Sequence, residues 1–87
     1  MSHQSKKFKR VSIDSVEALG ELIRQYRKDQ HFTLEQVTGM SGIGMRFLSE
    51  LERGKETAQL GKTLAIIKQL GLEIIIQQRG TDQHKLT

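Results

Sequence analysis

The 87-residue sequence contains no cysteine, no proline and no tryptophan. Without cysteine, the chain forms no disulfide, binds no zinc through thiolates and has no thiol nucleophile. It also lacks any apolar run close to the ~20 residues that span a bilayer, and its N-terminus lacks the apolar segment of a secretory signal. These absences lead us to expect a soluble, cytoplasmic protein with no role at a membrane.

The residues that usually carry metal or catalytic chemistry are poorly placed for it. His3, His31 and His84 are scattered, and none has a partner at ligand spacing, so we expect no metal site. Ser41 and Ser49 show no spacing to a histidine and a carboxylate, and the glycines do not form a phosphate loop. We therefore expect that the chain is not an enzyme and binds no cofactor.

The positive charge is concentrated near the N-terminus. Fourteen Lys and Arg against ten Asp and Glu give a net charge of +4, and Lys6, Lys7, Lys9 and Arg10 account for all of it. The rest of the chain is near neutral, so bulk charge is weak evidence for a nucleic-acid partner. A flexible basic tail over residues 1–11 suits contacts with phosphates or a minor groove, and it suits a solvated leader equally well.

Apolar residues at helical spacing predict one small domain over residues 12–79, with a polar tail over residues 80–87. We expect its first helix to begin at a cap made by Asp14 or Ser15. The predicted buried stripe of that helix consists of Leu19, Leu22, Ile23 and Tyr26. A later helix is expected over about residues 60–70. One face of this helix is predicted to be formed by Leu60, Leu64 and Ile67 and to be widened by Ile66 and Leu70.

After a glycine stop at Gly71, the sequence changes from helical to alternating spacing. Residues 72–78 are rich in isoleucine and predict a short β-strand. A lone strand leaves backbone groups unpaired. The same strand of a second copy satisfies them in an antiparallel ribbon about a two-fold axis, and folding back onto its own helices is the alternative. The candidate dimerisation residues are Leu72, Ile74, Ile75 and Ile76.

Residues 33–55, TLEQVTGMSGIGMRFLSELERGK, predict two short helices joined by a tight turn. Thr33 suits a helix cap, and Gln36 completes a capping box with it. The SGIG stretch over residues 41–44 breaks the first of these helices, and Gly54 suits the left-handed conformation that ends the second. This is the layout of a helix-turn-helix DNA reader, in which the second helix enters the major groove.

Two leucines at a spacing of three bury one face of that second helix and leave its other residues pointing outward. Arg46, near its start, can bind guanine O6 and N7 through two hydrogen bonds, worth about 1–3 kcal/mol of discrimination; a phosphate contact is the alternative. Met45 and Phe47 can press on thymine methyls, and packing at the edge of the core competes for Phe47. Glu50 can accept from cytosine N4 or exclude wrong sequences. The groups expected to contact phosphates are Thr33, Gly44, Ser49, Arg53 and Lys55.

Two sequence segments, one that ends just past Gly54 and one that follows it, match the same known family. Residues 41–55, SGIGMRFLSELERGK, and residues 60–72, LGKTLAIIKQLGL, resemble the Cro/C1-type (Xre-like) repressors, and within them the HipB-like antitoxins. The resemblance implies a mainly α, five-helix, lambda-repressor-like domain with a short C-terminal strand that pairs across a homodimer. It also implies that Arg27 and Glu52 form a structural pair joining the first helix to the end of the reading helix.

Three positions depart from the family pattern. His31 stands where glycine is usual, which predicts a strained or differently shaped turn. Leu34 stands where a glutamine commonly holds a phosphate, so one clamp is missing or supplied elsewhere, and a lower affinity is expected. Ala58 stands where proline is common, which should loosen the loop only slightly.

The function that the resemblance implies is that of an antitoxin. A dimer binds a palindromic operator, represses its own operon and restrains a HipA-like Ser/Thr kinase toxin in the bacterial cytoplasm, at the nucleoid. A stand-alone Xre-type repressor of phage or chromosomal type is one alternative. Another is a protein-binding module that has lost DNA binding, which Leu34 and the near-neutral folded part favour and which Arg46, Arg53 and Lys55 oppose.

Overall fold

A computed structural model describes residues 10–79, and these form four α-helices. Helix α1 spans Val16–Asp29, α2 spans Leu34–Ser41, α3 spans Met45–Glu52 and α4 spans Leu60–Gln69. The prediction of a mainly helical domain containing a helix-turn-helix unit is confirmed. Among the helices of the described residues, none combines the length and the apolar character needed to cross a bilayer.

The first two helices begin at the side-chain caps that the sequence predicts. The Ser15 hydroxyl oxygen accepts a hydrogen bond from the Ala18 amide at 3.0 Å at the start of α1. At the start of α2, the Thr33 hydroxyl oxygen accepts from the Gln36 amide at 3.0 Å, and the Gln36 side-chain oxygen accepts from the Thr33 amide at 2.8 Å. This reciprocal pair completes the capping box and fixes where the helix-turn-helix unit begins.

Helices α1, α3 and α4 end in the same backbone turn, the Schellman motif, which needs a left-handed residue just past the helix. The left-handed residues are His31, Gly54 and Gly71, with φ of 63°, 88° and 86°. In α1 the Phe32 amide donates to the Arg27 carbonyl oxygen at 3.0 Å. His31 is the one non-glycine residue with positive φ in the described part of the chain. This conformation costs an L-residue about 1–2 kcal/mol, so the turn is strained, as its departure from the family pattern predicts.

All four helices contribute to the hydrophobic core. Its fully enclosed members are Ile23, Val37, Leu48, Leu51, Ile66, Ile67 and Leu70. On α4 the buried face begins at Thr63, whose hydroxyl donates to the Gln59 carbonyl oxygen at 2.9 Å. The prediction that Leu60 and Leu64 belong to this face was wrong, since they are 69% and 44% exposed. The i, i+3, i+4, i+7 series runs from Thr63 to Leu70, which leaves both leucines to one side of it.

Helices α1 and α3 approach each other so closely that their backbones touch. A Cβ atom on Gly20, in the middle of α1, would overlap the Leu51 carbonyl oxygen and would lie 2.9 Å from the Glu52 carbonyl oxygen. At the same crossing, a Cβ atom on Gly54 would lie 2.9 Å from Cγ of Glu17. Small residues at these points therefore set the distance between the first helix and the end of α3.

The connection between α3 and α4 contains no helix. The resemblance implies a fifth helical piece there, but the structure has a single turn, in which the Ala58 amide donates to the Lys55 carbonyl oxygen at 3.3 Å. The rest of this connection, up to the start of α4 at Leu60, is irregular. The described residues thus contain four helices where five were predicted.

The segment that follows α4 pairs with no strand among the described residues. Residues 72–78, predicted to form a strand, are irregular, and residues 10–79 contain no strand. A strand requires hydrogen bonds to a neighbouring strand, and none of residues 10–79 forms such a neighbour. The predicted tails lie largely outside the described residues, because the structure describes neither residues 1–9 nor residues 80–87.

Replacing Gly20 by alanine is expected to destabilise the domain, although alanine is the better helix former. The new methyl group would meet backbone carbonyls at the end of α3, and such overpacking costs about 1–3 kcal/mol. Urea unfolding followed by circular dichroism measures this loss.

Gly39→Ala is the matched control, since Gly39 lies within α2 and a Cβ atom there meets no atom within 4 Å. It should raise the free energy of unfolding by about 0.5–1 kcal/mol. Equal effects of the two substitutions would contradict the close approach of α1 to α3.

Candidate nucleic-acid interface

The helix-turn-helix unit consists of α2, the turn over residues 42–44, and α3. Gly42 adopts a left-handed conformation with φ of 78°, and its amide donates to the Thr38 carbonyl oxygen at 2.8 Å, which ends α2. Gly44 then caps α3 with extended backbone angles and offers no side chain to the first amides of the helix. These amides keep their hydrogen-bonding capacity at the positive end of the helix dipole, where an anion binds favourably.

One side of α3 faces solvent, and its opposite side is buried through Leu48 and Leu51. Arg46 is highly accessible, with 88% of its side chain exposed, while that of Glu50 is 24% exposed. The residues that form this outward side, together with the turn that follows α3, are called the α3 surface below. They are Met45, Arg46, Ser49, Glu50, Arg53 and Lys55.

Hydrogen bonds connect the charged residues of the α3 surface. Glu50 accepts from Arg46 Nε at 3.2 Å through Oε2 and from Lys55 Nζ at 2.9 Å through Oε1. Arg53 Nη1 donates to the Ser49 hydroxyl oxygen at 2.9 Å. The hydrogen bonds from Lys55 and then Arg46 hold the pKa of the Glu50 carboxyl below its ordinary value. The α3 surface therefore presents three cations, two of which bind the same ionised carboxylate.

Phe47 lies at the edge of the α3 surface and is half-buried against the core. The ammonium group of Lys62, on α4, lies 5.6 Å from the centroid of the Phe47 ring, which is within the range of a cation–π interaction. The ring packs against the core and keeps part of its surface exposed, so the DNA contact of Phe47 stays a prediction beside its packing role. Lys62 was not among the predicted site residues, and no local spacing in the sequence signals it because the contact joins two different helices.

The start of α2 lacks the phosphate clamp expected from the family pattern. Leu34 is half-buried and packs against the core, so it contributes no polar group to the surface. Thr33, beside it, is exposed, and its hydroxyl oxygen already accepts the Gln36 amide. The Thr33 hydroxyl keeps its proton, so it can still donate to a phosphate oxygen.

Arg27 and Glu52, expected to form a structural pair, lie behind the α3 surface. Arg27 Nε donates to Glu52 Oε2 at 2.7 Å, and Arg27 Nη2 donates to Glu52 Oε1 at 3.0 Å. A third bond runs from Arg27 Nη1 to the Phe32 carbonyl oxygen at 2.8 Å. Both side chains are buried, being 9% and 5% exposed. Such a two-pronged contact fixes direction as well as distance, so it orients the end of α3 relative to α1.

The four candidate dimerisation residues differ in their exposure to solvent. Leu72 packs against the core, whereas Ile74, Ile75 and Ile76 are 51%, 54% and 92% exposed. Three consecutive exposed isoleucines are an apolar surface that a folded domain usually covers. In the part of the chain that the structure describes, no group of three His, Asp or Glu residues is arranged to hold a metal ion.

Known proteins resemble this chain in sequence and in fold. No protein-family model matches the chain. It is 42% identical over 62 residues, covering 71% of this chain and 82% of the relative, to the uncharacterised HTH-type transcriptional regulator y4mF of Sinorhizobium fredii (strain NBRC 101917 / NGR234). Its fold is similar to a HipB–O4 20mer complex and to a HipA–HipB–O2–O3 complex. For each, the TM-score is 0.77 at 18% identity, covering 82% of this chain and 100% of the matched chain.

Arg27→Ala is expected to lower the free energy of unfolding by about 3–5 kcal/mol, because it leaves the buried Glu52 carboxylate without its partner. The double variant Arg27→Met/Glu52→Leu should recover much of that loss, since it removes both charges. Thermal and urea unfolding measure both effects.

Arg24→Ala serves as the control on the same helix. Arg24 is exposed, so its loss should change the free energy of unfolding by no more than about 0.5 kcal/mol. A melt of Arg27→Ala that matches the parent would show that the ion pair does not stabilise the fold.

Proposed function

This chain belongs to the HTH-type transcriptional regulators and shares its fold with HipB. From this membership we propose that it is a sequence-specific repressor of the Cro/C1-type (Xre-like), HipB-like branch, acting as the antitoxin of a HipBA-like system. In this role it binds a palindromic operator as a dimer. It also restrains a HipA-like Ser/Thr kinase toxin in the bacterial cytoplasm, at the nucleoid. Regulators of this family are not enzymes, and the proposed role requires no cofactor.

The observation that carries the DNA-binding part is the position of Arg46. It lies in the first turn of α3, it is 88% exposed, and the helix start beside it has no side-chain cap. The first residues of a recognition helix are the ones that reach base edges. An arginine there can bind guanine through two hydrogen bonds, while the adjacent amides suit a phosphate.

The phosphate contacts come from groups around this position. Arg53 and Lys55 lie at the far end of the α3 surface, and the Thr33 hydroxyl lies at the start of α2. Such groups set the register of the protein on the duplex without reading sequence. With Leu34 turned toward the core, one phosphate contact fewer is available at α2, and a moderate affinity per protomer follows.

A second copy of the chain completes the proposed operator-binding unit. Residues 72–78 become a strand when they pair with the same residues of the partner, which covers Ile74 and Ile76. The exposed Leu60 and Leu64 on α4 offer further apolar area to such a partner. In the resulting dimer, two α3 helices about 34 Å apart read two half-sites on one side of the DNA.

The proposal of a toxin partner is supported by the similarity of this fold to that of another protein. HipB is found together with HipA and with the O2–O3 DNA in a solved complex whose HipB fold this chain shares. A stand-alone Xre-type repressor is the second candidate, because the 42% identical relative is described only as a transcriptional regulator. A kinase reading frame next to the gene, whose product co-purifies with this protein, would favour the antitoxin; its absence would favour the stand-alone repressor.

Fluorescence-anisotropy titration on the DNA upstream of its own gene tests the proposed DNA binding. We expect tight binding that resists competitor duplex and weakens steeply with salt. Arg46→Ala should reduce the preference for this DNA by about 1–3 kcal/mol. Arg24→Ala, which removes an equal charge from α1, should leave the preference intact. Equal affinity of the parent protein for upstream and competitor DNA would instead indicate a protein-binding module.

Sedimentation analysis of Ile76→Lys tests the proposed dimer. Ile76 is 92% exposed in the single chain, so the change should spare the monomer fold and yet dissociate the dimer. Gln77→Lys adds the same charge on the opposite side of the proposed strand and should remain dimeric. Two variants that are equally dimeric would show that residues 72–78 do not form the interface.

A further inference from the structure

We infer that Glu50 is a positioning residue that joins Arg46 and Lys55 into one DNA-recognition unit, so that it sharpens sequence preference while weakening attachment to arbitrary DNA. This inference rests on the proposed function and concerns how its reading surface discriminates. Glu50 need not contact a base for this, because it acts through the two cations that it holds.

The backbone at the end of α3 brings the two cations to the same carboxylate. The Gly54 amide donates to the Leu51 carbonyl oxygen at 2.9 Å, and the Lys55 amide donates to the Glu50 carbonyl oxygen at 3.1 Å. This Schellman turn depends on the left-handed φ of 88° at Gly54. Lys55 is thereby attached to Glu50 twice, once through its backbone and once through its ammonium group at 2.9 Å.

Glu50 binds Arg46 at a nitrogen that is not needed for reading a base. The carboxylate accepts from Nε of Arg46 at 3.2 Å, and the two terminal nitrogens take no part in this bond. Those terminal nitrogens form the fork that matches guanine O6 and N7. Because the side chain of Arg46 is 88% exposed, the bond to Glu50 is what limits the directions that this fork can take.

The Glu50 carboxylate also lowers the non-specific affinity of the α3 surface for DNA phosphates. Non-specific affinity follows the number of phosphates that the protein neutralises. An ionised Glu50 offsets part of the charge of Arg46 and Lys55, and the hydrogen bonds from these cations keep its pKa below the ordinary value. Arbitrary DNA therefore gains less from the two cations than a duplex that presents guanine to Arg46.

Glu50→Gln tests this inference, since it keeps the shape of the side chain and removes its charge. We expect affinity for competitor DNA to rise several-fold, with a steeper dependence on salt, and the ratio of upstream-DNA to competitor affinity to fall by about tenfold. Glu56→Gln is the control: Glu56 is exposed, lies next to Lys55 and forms no ion pair in the described part of the chain. It removes the same charge and should raise both affinities while keeping their ratio.

A measurement without DNA tests whether Glu50 binds Arg46 and Lys55 in solution. NMR titration of the Glu50 carboxyl should give a pKa below the ordinary value in the parent protein, and both Arg46→Ala and Lys55→Ala should raise it. A Glu50 pKa that neither substitution moves would overturn the inference.

These experiments distinguish a failure of the proposed function from a failure of the inference about Glu50. A parent protein without preference for upstream DNA would refute the proposed function and, with it, the role of Glu50 in discrimination. A parent protein that shows the preference, together with a Glu50→Gln variant that fully keeps it, would refute the inference about Glu50 alone.

Discussion

Arg27 reaches from the end of α1 to the end of α3, where it binds both carboxylate oxygens of Glu52 and also the Phe32 carbonyl oxygen in the connection to α2. Three segments thus depend on one buried guanidinium, and removal of either charge leaves the other unpaired in a dry environment. At the same crossing, Gly20 lets the backbones of α1 and α3 touch. The outward side of α3 is therefore presented from a rigid support, which a recognition surface requires.

The parts of the fold that were predictable from the sequence are those set by local chemistry. Ser15 and Thr33 cap helices through bonds to amides three residues away, and Gly54 and Gly71 occupy positions where a left-handed residue is needed. The buried face of α4 was predicted less well, because it begins at Thr63, a polar residue whose hydroxyl is satisfied within its own helix. Which residues are buried there depends on the other helices, and no local pattern contains that information.

The candidate site divides in the same way. The spacing of two buried leucines is enough to predict which residues of α3 point outward. Arg46 and Glu50 are four residues apart on one helix face, a spacing at which side chains meet. The contact of Lys55 with Glu50 does not follow from such spacing, because it needs the Schellman turn to fold Lys55 back toward the helix. The position of Lys62 over Phe47 joins separate helices. A strand over residues 72–78 depends on a hydrogen-bonding partner, and residues 10–79 contain none.

The near-neutral charge outside the basic N-terminal tail has a consequence for how quickly such a regulator finds its site. A genome offers about 10⁶–10⁹ competing sites, and each one retains a protein for a time that grows with the number of phosphates neutralised. A folded domain whose charges nearly cancel spends little time on each wrong site, so a larger share of its copies stays free to search. Under the proposed function, operator occupancy would then follow the copy number of the protein closely instead of being buffered by the bulk of the chromosome.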